Sequence, residues 1–142
     1  MDTASPASPP RWFRAVALLA VIWNAVGVAT YLSSVGLFGD PMAGLSETER
    51  AAASSMPGWI TGLFATGTFA GLAGSVGLLL RKAWALPVLI VSLVALLVLE
   101  GWVLFLSDAV ERFGVAVPVM VSAGAILLAW LASHARQRGW LS

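Results

Sequence analysis

The chain has 142 residues, of which 59% are hydrophobic and 11% are charged, and its mean hydropathy is +0.90. A soluble domain is about 45–50% apolar and about 25% charged, so this composition indicates a membrane protein. The net charge of +1 excludes nucleic acid as a partner, because phosphates need clustered basic residues. The sequence has no Cys and a single His, so we predict no disulfide, no metal site and no cofactor.

The first apolar run follows a stretch rich in Pro, Ser and Ala, and we assign residues 1–11 to a disordered cytoplasmic tail. We place the first membrane span at residues 13–38. A cleaved signal peptide is the alternative, because two Arg residues precede the run and Gly27-Val28-Ala29 is typical of a cleavage site. The apolar core of a signal peptide is usually about 7–15 residues, however, and this run is much longer.

Three further apolar runs, at residues 58–80, 84–106 and 115–134, are also long enough to be spans. Crossing a hydrocarbon core of ~30 Å takes about 20 residues in a helix. The apolarity on all sides of each run favours helices, and the chain is too short for a barrel of about eight strands. The sequence therefore predicts an all-α four-helix transmembrane bundle over residues 12–135, with a cytoplasmic tail at 136–142.

The positions of the basic residues predict the orientation of this bundle. Six of the eight Lys and Arg residues lie before the first run, between the second and third, or after the fourth: Arg11, Arg14, Arg81, Lys82, Arg136 and Arg138. Short loops that are rich in Lys and Arg stay in the cytoplasm. We therefore predict a bacterial inner-membrane protein with both termini on the cytoplasmic side.

The longest predicted connection joins the first two spans and contains a helix signal. Residues 46–49 read Ser-Glu-Thr-Glu, in which Ser46 and Glu49 can form a capping box. Three Ala residues continue this helix, and Pro57-Gly58 ends it. We predict a short amphipathic helix on the outer surface. It is interpreted mainly as a connector, and a lid over an outward-facing cavity is the alternative.

Small residues spaced four apart crowd the second span. Such spacing lets two helix backbones approach closely. Packing inside one bundle is the favoured interpretation, and an interface between subunits is the alternative. The residues that we assign to helix packing or to an interface are Gly67, Gly71, Gly74 and Gly77.

Glu100 is the most informative single residue, because it lies in the third span after five apolar residues. At 1.5 Å per residue it is about 9 Å inside the outer end of that span. An ionised carboxylate at such a depth costs about 2.5–3.5 kcal/mol, so Glu100 should be protonated, partnered or hydrated. It could form a ligand or proton site in an outward-facing cavity, or it could hold helices together by a hydrogen bond.

Polar and aromatic side chains in the first two spans are candidate neighbours of Glu100. Asn24 can hydrogen-bond across helices, and a packing role is favoured for it over a ligand-binding role. Trp23 lies near the middle of its span, whereas the other tryptophans lie mostly near predicted membrane interfaces. The candidate ligand-binding residues are Glu100, Asn24, Tyr31, Thr66 and Trp23, and Thr30 and Ser122 are further possible partners of the carboxyl group.

Several segments resemble a family of small bacterial four-span proteins that are often labelled "sugar transporter" or left uncharacterised. These segments are Trp23-Asn24-x-x-Gly27, Glu49-Arg50, Met56-Pro57-x-Trp59, Leu78-Leu79-Leu80-Arg81-Lys82 and Trp84-Ala85-x-Pro87, with Phe64, Gly71 and Gly74 between them. A Gly-rich helix followed by a basic turn is also similar, more loosely, to DoxX-like membrane proteins. The resemblance covers most of the chain, implies a four-helix membrane fold and supplies no catalytic residues.

No catalytic constellation is visible, since no nucleophile has an obvious base and no two carboxylates share a span. The leading hypothesis is therefore a non-enzymatic accessory or interaction protein. It would be surrounded by membrane lipid and would form a homo-oligomer or join a larger membrane complex. The alternative is a carrier or binder of a small, sugar-like solute around Glu100 and Asn24. A carrier would need to oligomerise, because four helices barely enclose a transport path.

Overall fold

A computed structural model describes residues 8–142, apart from the side chains of Arg112 and Phe113. These residues form six helices and no strand: α1 Arg11–Ser34, α2 Glu47–Ser54, α3 Gly58–Leu79, α4 Ala85–Leu106, α5 Ala109–Phe113 and α6 Ala116–Gln137. Helices α1, α3, α4 and α6 are long and apolar enough to cross a membrane. The predicted all-α four-helix membrane bundle is confirmed. Most of the predicted N-terminal tail lies outside the described residues, and its last residue, Arg11, begins α1.

Helix α1 ends four residues before the predicted end of the first span at residue 38. Gly36 has a φ of 85°, a conformation that glycine adopts without steric cost. The amide of Leu37 donates to the carbonyl of Leu32 at 3.0 Å, and the amide of Gly36 donates to the carbonyl of Ser33 at 3.1 Å. This pair of hydrogen bonds is a Schellman motif, which satisfies the last carbonyls of the helix and turns the chain away.

Helix α2 forms where the capping box was predicted. The Ser46 hydroxyl accepts from the Glu49 amide at 3.3 Å, and the Glu49 carboxylate accepts from the Ser46 amide at 2.8 Å. The helix ends at Ser54, three residues before Pro57. A second short helix, α5, follows α4 and ends at Phe113, before Gly114, which has a φ of 79°.

Helix α3 is central to the bundle, since it packs against both α1 and α4, and α4 packs in turn against α6. We call the end that carries the α3–α4 turn the basic end, and the end that carries residues 35–57 and α5 the loop end. At the basic end, α1 meets α6 through Phe13, which is fully buried among Leu131, Ala132 and Leu78. Within the described residues, α1 and α6 have no extensive backbone contact elsewhere.

The segment after α6, which lies in the predicted cytoplasmic tail, packs against the rest of the bundle. Helix α6 extends to Gln137, and the chain then folds back onto the turn after α3. The amide of Ser142 donates to the carbonyl of Arg81 at 2.7 Å, and the Ala83 amide donates to the carbonyl of Ser142 at 3.0 Å. The Trp140 ring packs edge-on against Phe13 at 5.4 Å. These contacts close the basic end, because they join the segment to both α1 and the α3–α4 turn.

Candidate functional site

A cavity of about 630 Å³ lies at the loop end of the bundle. All four long helices line it, together with the segment between α1 and α3. Its walls are largely apolar, with Phe64, Leu96 and Leu99 among the lining residues. The basic end has a dense core and the loop end has this cavity, so the four helices enclose a space that is closed towards the basic end.

Glu100 lies on the wall of this cavity and is only 8% exposed. Its side chain makes no hydrogen bond or ion pair with any other described residue. No fully buried side-chain oxygen or nitrogen of the described residues lacks a hydrogen-bond partner. The carboxyl oxygens of Glu100 therefore keep access to the cavity. The structural alternative, in which Glu100 holds two helices together by a hydrogen bond, has no such bond to support it among the described residues.

Asn24 lines the cavity and also joins two helices. Its amide donates to the Ala20 carbonyl in α1 at 2.9 Å and to the Ser75 hydroxyl in α3 at 3.1 Å. Ser75 donates in turn to the carbonyl of Gly71 at 2.8 Å. The favoured packing role of Asn24 thus has a geometric basis, and the same side chain supplies a polar point on the cavity wall.

A second polar link between helices was not anticipated from the sequence. The Ser92 hydroxyl of α4 donates to the carbonyl of Gly67 in α3 at 2.7 Å, and Ser92 is buried. A single Ser in the Leu- and Val-rich α4 was the available signal. This hydrogen bond joins α4 to α3 close to the place where Asn24 joins α1 to α3. Both hydrogen bonds therefore lie near the end of the cavity that faces the basic end.

The four assigned glycines are all buried in contacts inside one chain. A Cβ atom at Gly67 would lie 2.6 Å from Leu96, and one at Gly74 would lie 2.5 Å from Leu89. At Gly77 it would meet Trp84 and Ala85, and at Gly71 it would overlap the Asn24 side chain. The predicted tight glycine face therefore packs α3 against α4 and α1. All four residues are buried within the chain.

The other predicted site residues divide into those that reach the cavity and those that do not. Trp23 and Thr30 line it. Thr66 does not, because it lies on the exposed side of α3 and donates to the Gly62 carbonyl at 2.9 Å. The assignment of Thr66 is corrected, since Thr61 and Thr68 are the hydroxyl side chains that α3 presents to the cavity.

Tyr31 is near the cavity without lining it, and Ser122 does not line it either. The Tyr31 ring packs edge-on against Phe64 at 5.6 Å and against Phe69 at 5.8 Å. Phe64 is itself a wall residue. Tyr31 therefore positions part of the wall, and its proposed direct role as a ligand-binding residue is corrected.

The segment between α1 and α3 covers the loop end of the cavity. Pro41, Met42, Leu45, Ala53 and Met56 from this segment all line it. The alternative interpretation of the segment, as a cover over a cavity, thus matches its position. Met120 of α6 lines the cavity as well, so thioether side chains enter its wall from three separate places in the chain. Unbranched and polarizable Met side chains adapt to the shapes of different apolar ligands.

Within residues 8–142, no group of three His, Asp or Glu side chains could hold a metal ion. Comparison with protein-family models, curated proteins and solved structures finds no match for this chain. The resemblances to small bacterial four-span proteins and to DoxX-like proteins therefore stay predictions.

Proposed function

We propose that this integral membrane protein binds a small, largely apolar molecule in the cavity at the loop end of its bundle. The cavity is the observation that carries the proposal. Its volume of about 630 Å³ lies within the range of roughly 300–1,000 Å³ that is typical of small-molecule sites. Such sites combine apolar walls with a few polar groups, and the polar groups here are Asn24, Thr30, Ser34, Thr61, Thr68 and Glu100.

The ligand reaches the cavity from the lipid, between α1 and α6. These two helices both line the cavity and lack extensive contact with each other among the described residues. Trp23 and Val26 of α1 and Met120 of α6 line the cavity while remaining exposed on the surface of the bundle. Since that surface faces acyl chains in a membrane, an amphiphile can move sideways into the cavity without crossing water.

The character of the walls favours an apolar amphiphile over the sugar-like solute of the sequence-based hypothesis. A sugar presents hydroxyl groups on all sides, and each one that loses water without gaining a partner is costly. Three hydroxyl side chains of this wall, Thr30, Ser34 and Thr68, already donate to carbonyls of their own helices, which reduces the number of donors left for the hydroxyls of a sugar. A ligand with an apolar body and one polar group fits the lining better.

Binding rather than transport is supported by the contrast between the two ends. The loop end contains the cavity, whereas Phe13, Leu78, Ala132 and Ala135 fill the basic end. A carrier needs access from both sides in turn, and a single chain with this core offers access from one. A binding role is compatible with the hypothesis of an accessory subunit. The four glycines that were candidates for a subunit interface are buried within the chain, so self-association would require other residues.

We place the protein in a bacterial inner membrane, with the basic end in the cytoplasm. Six of the eight basic residues support this orientation, because positively charged short loops stay inside. The cavity then opens towards the outer leaflet.

A cavity-filling substitution tests the binding function. Val103→Trp places a large ring in the cavity, whereas Val98→Trp adds the same ring on the exposed side of α4. Each protein in nanodiscs would be equilibrated with 1-decanol, a neutral amphiphile, and bound ligand would be counted by native mass spectrometry. We expect one equivalent on the parent and on Val98→Trp, and none on Val103→Trp. Equal binding by the two variants, or no binding by the parent, would contradict the proposal.

A further inference from the structure

The charge of the cavity indicates which ligands it selects. Among the described side chains that line it, Glu100 is the only acidic one, and none is Lys, Arg or His. Glu100 is 8% exposed, and its carboxyl group has no hydrogen-bond or ion-pair partner among the described residues. The described part of the cavity wall thus contains one acidic group and no basic group that could compensate its charge.

A carboxylate in such surroundings favours a positively charged ligand. Removing a charge from water is costly, and in an apolar environment an opposite charge compensates far more than it does in water. A cation that enters the cavity supplies this compensation, whereas an anion of the same shape adds repulsion. The cavity therefore binds a cation more tightly than an anion of the same shape, although the apolar walls alone would bind the two equally well.

The remaining walls suit a cation whose charge is surrounded by apolar groups. The rings of Trp23 and Phe64 line the cavity, and aromatic faces attract cations through their quadrupole. The thioethers of Met42, Met56 and Met120 can adapt to bulky substituents. A strongly hydrated metal ion or a small ammonium would lose its water here without gaining enough oxygen ligands.

We infer that the cavity selects hydrophobic cations, meaning compact amphiphiles whose single positive charge lies beside the Glu100 carboxylate. This inference rests on the proposed function, because it requires the cavity to accept a small apolar molecule. It adds the chemical class of the ligand and assigns Glu100 as the residue that determines specificity.

Two probes of nearly identical size and shape, but of opposite charge, test the inference. Tetraphenylphosphonium is a cation and tetraphenylborate is an anion. Neither ion has a polar group that could form a hydrogen bond. Saturable binding of each would be measured by equilibrium dialysis against the protein in phosphatidylcholine nanodiscs, with empty nanodiscs subtracted. We expect saturable binding of the cation and none of the anion by the parent protein.

Substitutions of two Glu residues show whether the affinity for the cation depends on Glu100. Glu100→Gln keeps the shape of the side chain and removes its charge, so the affinity for tetraphenylphosphonium should fall at least about thirtyfold, the lower end of the cost of removing one partner of a buried charge pair. Glu111→Gln makes the same change on α5, where the side chain is exposed, and should leave the affinity unchanged. Binding of 1-decanol by Glu100→Gln would show that its cavity is intact.

The outcomes separate the inference from the function on which it rests. Equal affinity of the parent and Glu100→Gln for the cation, or saturable binding of tetraphenylborate by the parent, would overturn the cation inference. If the parent binds 1-decanol and not tetraphenylphosphonium, the binding function stands and the inference fails. If it binds neither, both fail. Should Glu100→Gln not fold, the comparison of the two probes on the parent still decides.

Discussion

The two halves of the bundle consist of the same four helices and pack in opposite ways. In the half towards the basic end, Phe13, Leu78 and Ala132 are fully buried in one continuous core. In the half towards the loop end, the buried core is much smaller, with Ile60, Leu96 and Leu99, and it borders the cavity. The chain therefore separates the region that stabilises the fold from the region that can bind a ligand.

The residues on the buried side of α3 explain this difference. Towards the basic end they include Gly71, Gly74 and Gly77, which let α1 and α4 approach the α3 backbone. Towards the loop end they include Ile60, which is buried, and Phe64, which lines the cavity. Close approach of two helix backbones leaves no room for a cavity between them. The position of the glycines along α3 thus explains why the half of the bundle towards the basic end is densely packed.

The largest expected effect is an all-or-none difference in labelling between the two ends. Single cysteines at Ser54, in α2, and at Lys82, in the α3–α4 turn, both replace exposed residues. If the basic end is cytoplasmic, an impermeant maleimide added to intact cells should label only the cysteine at position 54. Labelling of position 82 before lysis would reverse the orientation and place the cavity on the cytoplasmic side.

The same substitution in the two halves should have unequal effects on stability. Phe13→Ala removes a fully buried ring and should lower the free energy of unfolding by about 3–5 kcal/mol. Phe64→Ala removes a ring that is half-buried at the cavity wall, so it opens little new enclosed space and should cost less than half as much. Reversible unfolding in mixed micelles measures both. Equal losses would mean that the halves are packed equally well.

A matched pair of glycine substitutions tests the reason for the tight half. A Cβ at Gly74 would lie 2.5 Å from Leu89, whereas one at Gly62 would meet nothing within 4 Å. Gly74→Leu should therefore destabilise the bundle by about 3 kcal/mol, the upper end of ordinary overpacking, and Gly62→Leu should be neutral. Similar thermal stabilities of the two variants in detergent would remove the glycine face as the explanation.

The smallest expected effect on stability concerns the hydrogen bond that joins α1 to α3 through Asn24, next to the cavity. The Asn24 amide donates to Ser75 at 3.1 Å, and hydrogen bonds between membrane helices contribute about 0.6 kcal/mol on average. A double-mutant cycle with Asn24→Ala and Ser75→Ala should give a coupling energy of that size. The pair Asn24→Ala and Thr66→Ala is the control, and should be additive, because Thr66 bonds only within its own helix. Additivity in both cycles would exclude an energetic role for the link.

Local rules in the sequence predicted much of the fold. The spans follow from apolar length, and the structure confirms their helices with small shifts at the ends. The capping box of Ser46 and Glu49 forms as predicted, because its two hydrogen bonds involve residues three apart. The four glycines assigned to packing or to an interface are buried in contacts within the chain. Each of these features depends on a few neighbouring residues or on the summed hydropathy of about twenty.

The errors in the candidate site have a common cause. Thr66 was assigned to the site, whereas Thr68 lines the cavity, and residues two apart on a helix point about 200° away from each other. The contribution of Met42, Met56 and Met120 was not anticipated either, since these residues are far apart in the sequence. The return of residues 140–142 onto the α3–α4 turn likewise depends on backbone groups about sixty positions away.

Hydropathy along the chain locates the four apolar helices, and it shows one carboxylate, Glu100, and one amide, Asn24, inside the predicted spans. The packing of the helices in three dimensions sets which of their sides face one another, and therefore brings Glu100, Asn24 and Thr68 to one cavity. The cause of this division lies in the solvent. Lipid is as apolar as a protein interior, so a membrane helix that is apolar on all sides carries little hydropathic signal for its inward face. That face is set by the fit of side-chain volumes between helices.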